Sequence, residues 1–316
     1  MDRTILLRRS NNRSVALLAL FAFLAGGSSS GRADRELAGL AGFSQAHKGA
    51  LLWYDASGRL LVANAGQIID PLGRVTAFSK SPGRTYPSLS PDGKKVAFVQ
   101  TENLSQDEKR EESSIWIVDV DRGTLDKVAV LPWASALSWS PAGDKLAFIS
   151  EGLKILTLGD KHITLITADT SSDAIPSWSP DEHQIAYESV TGAGDHRVFH
   201  VNIADLLSGE IKTIAEGRSP SWSPKGDQIA YLDSGEQAYF AVSTTGANKK
   251  LLVKAGYAAF KGPLLGMWLV WSPDQLHAIY NAYYDGGVEA IGVDLLTGKK
   301  TIIKREGYFA AVDWRP

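Results

Sequence analysis

The fragment SWSPKGDQIAY at residues 221–231 nearly repeats SWSPDEHQIAY at 177–187, and no other feature of the chain restricts its fold as tightly. Related copies are PSLSPDGKKVAFV at 87–99, LSWSPAGDKLAFI at 137–149, LVWSPDQLHAIYN at 269–281 and a terminal VDWRP at 312–316. Their prolines, Pro91, Pro141, Pro180, Pro224, Pro273 and Pro316, are spaced by 50, 39, 44, 49 and 43 residues. That period, averaging 45 residues, is the length of one four-stranded propeller blade.

Each letter of the repeat has a physical task. Proline fixes φ at the second position of a type I turn, the serine before it can hydrogen-bond the turn backbone, and Asp92-Gly93 tolerates the exit. Ser-Pro-Asp-Gly is therefore predicted to be a hairpin turn. The following Val96-Ala97-Phe98-Val99 is apolar on both faces, as is Ile115-Trp116-Ile117-Val118, which is the pattern of strands dry on both sides. Leu125–Val128, Ile211–Ile214 and Lys299–Ile302 instead mix charge with apolar residues. Such strands suit an outer edge, where lysine discourages pairing with other chains. Trp139, Trp178, Trp222, Trp271 and Trp314 occupy one position of the repeat, with Leu89 in the first copy, and are expected to pack blade against blade.

Five full units start near residues 87, 137, 176, 220 and 269. The early stretch LLWYDASGRLLVANAGQIIDPLGRVTAF lacks a WSPDG start, and VDWRP supplies one. The expected fold is all-β: a six-bladed β-propeller of four-stranded antiparallel blades, the ring closed by N- and C-terminal strands. IIDPLGRVTAF is expected to form the outer two strands of the shared blade. The alternative is that Leu51–Tyr54 is itself an inner strand, which makes the N-terminal blade complete and the C-terminal strand surplus, with six blades either way.

The repeats resemble the WD40-like units of TolB-type propellers, written P-x-W-S-P-D-G-x-x-I-A-F. The match lies at Pro87–Phe98, Leu137–Phe148, Pro176–Tyr187 and Pro220–Tyr231, more loosely at Leu269–Tyr280, and extends over about residues 49–316. The resemblance implies a periplasmic protein-binding propeller, in TolB's case part of a cell-envelope complex with a peptidoglycan-associated lipoprotein. TolB carries an α/β domain ahead of its propeller, for which only about fifteen residues are available here.

Arg3, Arg8, Arg9 and Arg13 precede VALLALFAFLAG at 15–26 and a small-residue run ending at Ala33. Twelve apolar residues are too few to span a hydrocarbon core of about 30 Å as a helix, so residues 1–33 read as a signal peptide that leaves no transmembrane anchor once cleaved. Residues 34–48, DRELAGLAGFSQAHK, form a short lead, and 49–316 the propeller. The expected location is periplasmic or secreted. Removing 1–33 changes 33 basic against 35 acidic residues to 28 against 34, a balance that disfavours nucleic acid as a partner. The chain has no cysteine, which excludes disulfides and thiolate-bound metal.

A search for chemistry finds little. Gly27-Ser28-Ser29-Ser30-Gly31 has the spacing of a nucleophile elbow but lies in the signal region. His196 and His200 are four apart, which in a strand separates them by about 13 Å and prevents a shared ion. DVDRGTLD at 119–126 has its glycine one position early for a calcium loop and lacks the closing glutamate. No catalytic residue, cofactor or metal is assigned.

Geometry points instead to a face. The first and third turns of each blade share one rim, whereas the second turn and the connection between blades share the other. That second rim receives the variable segments 101–114, 190–197, 255–266 and 282–288, where binding usually resides. The aromatic residues Trp133, Tyr257, Phe260, Tyr283 and Tyr284, with Tyr308, are placed there as candidate partner-binding residues. The leading expectation is an exported, non-enzymatic propeller that binds a protein or cell-envelope component, such as an envelope lipoprotein, through this rim. The alternatives are a propeller lyase or hydrolase acting on saccharide or peptide at the channel, and a module working with a separately encoded domain.

Overall fold

Alternation of buried runs and Ser-Pro turns produces antiparallel sheets in which each strand pairs with the next. The computed structural model describes residues 50–54, 60–64, 67–69, 84–103, 111–171, 175–233, 235–255, 269–284, 287–304 and 310–315. These residues form six four-stranded sheets. Blade I contains β4 (Arg84–Leu89), β5 (Lys95–Asn103), β6 (Glu111–Asp119) and β7 (Leu125–Leu131). Blade II contains β8 (Ser135–Trp139), β9 (Lys145–Ile149), β10 (Leu153–Thr157) and β11 (Ile163–Thr167). Blade III contains β12 (Ser177–Trp178), β13 (Gln184–Thr191), β14 (Val198–Asp205) and β15 (Ile211–Glu216). Blade IV contains β16 (Arg218–Trp222), β17 (Gln228–Asp233), β18 (Ala238–Ser243) and β19 (Lys250–Lys254). Blade V contains β20 (Leu269–Trp271), β21 (His277–Tyr284), β22 (Gly287–Asp294) and β23 (Lys300–Lys304). Blade VI joins β24 (Ala310–Arg315) to β1 (Ala50–Tyr54), β2 (Leu60–Asn64) and β3 (Gln67–Ile69).

The first strands β4, β8, β12, β16, β20 and β24 each meet the next around the axis, and β24 meets β4, so the ring is closed. β24 is the innermost strand of blade VI and pairs antiparallel with β1, Leu51 opposite Trp314. Leu51–Tyr54 is thus a second strand, and the C-terminal strand is not surplus. The expected assignment of the outer pair needs correction. Because β1 takes second place, β2 is third and Gln67–Ile69 is the outermost strand; the rest of IIDPLGRVTAF lies outside the described residues.

Blades hold together through apolar cores between them. Trp139 packs with Ala97, Val99 and Ile115 of blade I, and Trp178 with Ala147, Ile149 and Leu153 of blade II. Trp222 and Trp271 do the same against blades III and IV. Three indoles also donate to the backbone of the preceding blade: Trp139 Nε1 to Ser88 O at 2.9 Å, Trp178 to Ser138 O at 3.2 Å and Trp271 to Ser221 O at 3.2 Å. The tryptophan series is core packing with an added inter-blade hydrogen bond, which meets the usual need of a buried indole. Val96 to Val99 are fully buried, but Trp116 and Ile117 in the third strand are only half-buried. Radial blades splay with distance from the axis, so dryness on both faces fades outward. The outermost strands β7, β11, β15 and β19 are largely exposed.

In the Ser-Pro turns, Gly93 N–H donates to Ser90 O at 2.9 Å, and Ser90 Oγ accepts from Lys95 N at 2.9 Å while donating to Asp92 Oδ1 at 2.6 Å. Where Ala142 or Lys225 replaces that aspartate, the serine hydroxyl turns to Asp144 or Asp227 instead. This hydrogen bond from serine is the main cause that holds the Asp181 and Asp227 carboxyls below the usual carboxylate value.

The turn's left-handed position is occupied by Gly93, Gly143 and Gly226, but by Glu182 and Gln275 in blades III and V. Those two side chains clamp the preceding blade. Glu182 accepts from the Ala142 N–H and pairs with Lys145 Nζ at 3.1 Å. Gln275 Oε1 accepts from Lys225 N at 3.2 Å, and its Nε2 donates to Asp227 at 3.1 Å. Two opposing effects act at Gln275: the left-handed backbone costs a non-glycine residue about 1 kcal/mol or more, and each exposed hydrogen bond returns about 0.5–1.5 kcal/mol. Gln275→Gly is therefore expected to change urea-unfolding stability little, whereas Gln275→Ala, which keeps the strain and loses the clamp, should lower it by about 1 kcal/mol. Equal stability of the two variants would contradict the clamp.

Candidate partner-binding rim

Backbone hydrogen bonds define the two rims. Val120 N donates to Lys94 O, Leu158 N to Asp144 O, Leu206 N to His183 O and Leu295 N to Leu276 O, which ties the third turn of blades I, II, III and V to the first turn of the same blade. The second hairpins therefore rise on the opposite rim, as the connectivity requires. They are unequal in a regular way. The paired second and third strands are nine residues long in blade I and eight in blades III and V. In blades II and VI they are five, and in blade IV six. Long and short hairpins alternate around the ring, so three hairpins stand above the rest at roughly threefold intervals.

The three differ in chemistry. In blade I, Glu102 lies opposite Glu112 and Asn103 opposite Glu111, giving an acidic hairpin. Blade V ends in Tyr283 and Tyr284, paired with Val288 and Gly287. Blade III presents exposed His196 and Arg197 in and after a short 3-10 turn, Gly194–His196. Arg197 lies 5.7 Å from the centroid of the Phe199 ring, and Arg218 of blade IV covers the same ring at 3.9 Å.

Arg218 is fixed by a buried carboxylate that the sequence reading did not single out. Glu188 Oε1 accepts from Arg218 Nε at 3.3 Å and Nη2 at 3.2 Å, while Oε2 accepts from Ser219 N at 2.9 Å. The Glu188 side chain is 0% exposed and that of Arg218 14%. Ser219 has φ of 52° within an irregularity of β16, where its N–H leaves the sheet ladder and becomes free for Glu188. The same position of the second strand is Val99, Ile149 and Leu232 in blades I, II and IV. Aligning the repeats would have exposed Glu188 as the one charge in that column. Asn202 adds a polar relay within blade III, donating to Ser189 Oγ at 2.9 Å and accepting from Thr213 Oγ1 at 2.7 Å.

Blade IV contributes a second fixed cation on this side. Lys249 Nζ lies 2.9 Å from Asp233 Oδ2, 3.3 Å from Glu236 Oε1 and 4.0 Å from the Phe240 ring centroid. The hydrogen bond to Asp233 is the main cause that raises the Lys249 ammonium above its ordinary value.

Of the candidate aromatic residues, Trp133 sits in the connection between β7 and β8, half-buried against the core cluster of blades II and III. Tyr283 and Tyr284 lie at the raised end of β21. Tyr257, Phe260 and Tyr308 fall outside the described residues. His196 and His200 occupy different elements, and His200 Nε2 lies 2.9 Å from Thr191 Oγ1. Among the described residues no group of three or more histidine, aspartate or glutamate side chains is arranged to hold a metal ion. The rim offers a fixed guanidinium, exposed basic groups and an acidic hairpin, which suits recognition of a surface.

Comparison with known proteins agrees with this architecture. The chain is 26% identical over 180 residues to the Tol-Pal system protein TolB of Francisella tularensis subsp. tularensis, an alignment covering 53% of this chain and 39% of that protein. The chain thus spans about two-fifths of the length of the curated relatives it matches. Among solved structures, TolB from Acinetobacter baumannii superposes with a TM-score of 0.65 at 18% identity, covering 85% of this chain and 66% of that one. Oligogalacturonate lyase from Vibrio parahaemolyticus superposes with a TM-score of 0.53 at 12% identity, covering 75% of this chain and 72% of that one. At such identities the structural likeness establishes the fold alone. The family model for the TolB beta propeller domain matches residues 75–316, most of the sequence, and the chain belongs to that family.

Proposed function

We propose that this chain is an exported, non-enzymatic propeller that binds a protein of the cell envelope through the rim of raised hairpins. The observation that carries the reading is the alternation of long and short second hairpins, with acidic, basic and aromatic ends on one face of a rigid ring. Variable projections on a fixed scaffold are suited to binding. Membership of the TolB beta propeller domain family supports a protein partner. Curated relatives bear the name Tol-Pal system protein TolB, which supports the periplasm as location and an envelope lipoprotein as partner class. Arginines followed by twelve apolar residues support export. Trp133, Tyr257, Phe260, Tyr283 and Tyr284 are the proposed aromatic anchors, and Arg197, beside Phe199, joins them.

The test is a tagged chain cross-linked in an envelope extract from its own source, with captured proteins identified by mass spectrometry. An envelope lipoprotein is expected, with capture reduced at least about tenfold by Tyr283→Ala or Arg197→Ala, as for a hot-spot residue. Capture unaffected by either substitution would remove the partner from this rim. Recovery at the level of a mock control would overturn the protein-partner reading.

A further inference from the structure

The periphery of the ring carries a feature that a partner on the raised hairpins does not use. An outermost strand exposes a row of backbone N–H and C=O groups, and charge along it discourages pairing with another chain. β7, β15, β19 and β23 all contain lysine: Lys127, Lys212, Lys250 with Lys254, and Lys300 with Lys304. β3 is only three residues long, which limits pairing in another way. β11 has neither protection. Its sequence, Ile163-Thr164-Leu165-Ile166-Thr167, is uncharged and, but for Leu165, made of β-branched residues, the type favoured in strands. It pairs with β10 on one side and, among the described residues, with no strand on the other. Leu165 at its centre is 54% exposed.

The register with β10 decides which backbone groups face outward. Thr157 N–H donates to His162 O at 2.9 Å, and Ile155 lies opposite Thr164. Hydrogen-bonded residues alternate along an antiparallel ladder, so His162 and Thr164 turn towards β10 while Ile163 and Leu165 turn their N–H and C=O outward. The usable stretch is bounded at both ends. Lys161 has φ of 58°, a turn conformation ahead of the strand, and the register with β10 shifts beyond Leu165. An identical strand set antiparallel about Thr164 fits between these bounds. Ile163 of each copy then lies opposite Leu165 of the other, and the two strands exchange about four backbone hydrogen bonds. Charge favours this self-pairing at β11 over the other edges. The same arrangement about the middle of β19 or β23 would set Lys250 against Lys254 or Lys300 against Lys304, a like-charge contact that destabilises a strand pair. At β11 the antiparallel arrangement instead brings the end bearing exposed Lys161 to the end bearing exposed Asp169.

We propose that β11 is a self-association surface, through which two copies of this chain join blade II to blade II about a two-fold axis. The two four-stranded sheets become one continuous sheet with no free edge at its centre. The proposal concerns the outer edge of the ring and does not rest on the partner reading of the raised rim.

Because the chain has no cysteine, a single engineered one reports on this contact directly. In the proposed register Thr164 faces its own counterpart in a non-hydrogen-bonded pair, with Cα atoms about 4.5 Å apart, a separation that a disulfide can bridge. The full chain carrying Thr164→Cys is therefore expected to form a covalent dimer under mild oxidation at least about fivefold faster than Thr301→Cys, another exposed threonine on lysine-bearing β23. Equal rates would mean chance collision and would overturn the proposal. Sedimentation of the unsubstituted chain between about 1 and 100 µM should show a monomer–dimer equilibrium, as suits a small interface. Leu165→Lys, which places charge in the pairing edge at an exposed position, should weaken the dimer at least about tenfold and leave thermal unfolding of the monomer unchanged. A chain that stays monomeric throughout has this edge covered by something other than a second copy. That result, or a dimer that Leu165→Lys leaves intact, would sink the proposal.

Discussion

Truncation before Ala310 is expected to abolish cooperative unfolding of the whole ring. β24 is the innermost strand of blade VI, pairs with β1 over Ala50 to Tyr54, and lies against β4 and β20. Without it the first blade of the chain loses its inner neighbour, the last loses its following one, and β1 presents a bare edge at the channel. The loss should exceed about 5 kcal/mol, the lower end of the entire stability of a typical domain. Circular dichroism followed through a urea titration would show a broad, non-coincident transition in place of a single one. A synthetic peptide of residues 307–316 added in trans should restore part of the cooperativity by completing blade VI. A truncated chain that unfolds in one sharp step, within about 1 kcal/mol of the parent, would show that the ring does not depend on its terminal closure.

The second large effect belongs to Glu188. Glu188→Ala removes the carboxylate that satisfies Arg218 and the Ser219 N–H, and leaves a guanidinium of which 14% is exposed. Breaking one side of a buried pair costs about 3–5 kcal/mol, because the remaining charge has neither water nor partner. Replacing both members by apolar residues of similar size, Glu188→Leu with Arg218→Met, should recover most of that loss, since the corresponding position holds Leu232, Ile149 or Val99 in other blades. The Ser219 N–H remains unpaired in both variants, which leaves a residual loss of about 1 kcal/mol even in the double variant. If the double variant is as unstable as Glu188→Ala, the ion pair contributes net stability beyond satisfying itself. In either case the pair holds Arg218 over Phe199 on the raised rim, so both variants should also weaken capture of a partner that uses this face.

These two effects differ in how far they could be read in advance. Ring closure was visible because VDWRP is a partial copy of a unit whose remaining strands stand at the other end of the sequence. Glu188 was overlooked although it stands out once the repeats are aligned, since charge in a column of Val, Ile and Leu signals a buried partner. Its partner could not be read, because Arg218 belongs to the next blade and is brought to it by β16 crossing the inner face. The alternation of long and short hairpins could not be read from the spacing between repeats, because the 49-residue interval after Pro224 belongs to the short hairpin of blade IV and exceeds those of blades III and V. Trp133 shows the reverse case: an aromatic residue in a rim connection that packs half-buried on the core of blades II and III.

The sequence by itself determined the blade. Proline, serine and the left-handed residue build each turn within five residues, and runs dry on both faces fix which strands lie inside, so the unit follows from local sterics and burial. Only the tertiary structure decided how one blade recognises the next. The Glu182 and Gln275 clamps, the Glu188–Arg218 pair and the bond from the Trp222 backbone N–H to Ser177 Oγ all join residues about 30 to 50 positions apart. Such contacts arise from the angle at which neighbouring sheets pack around the axis, and no local pattern in the chain encodes that angle.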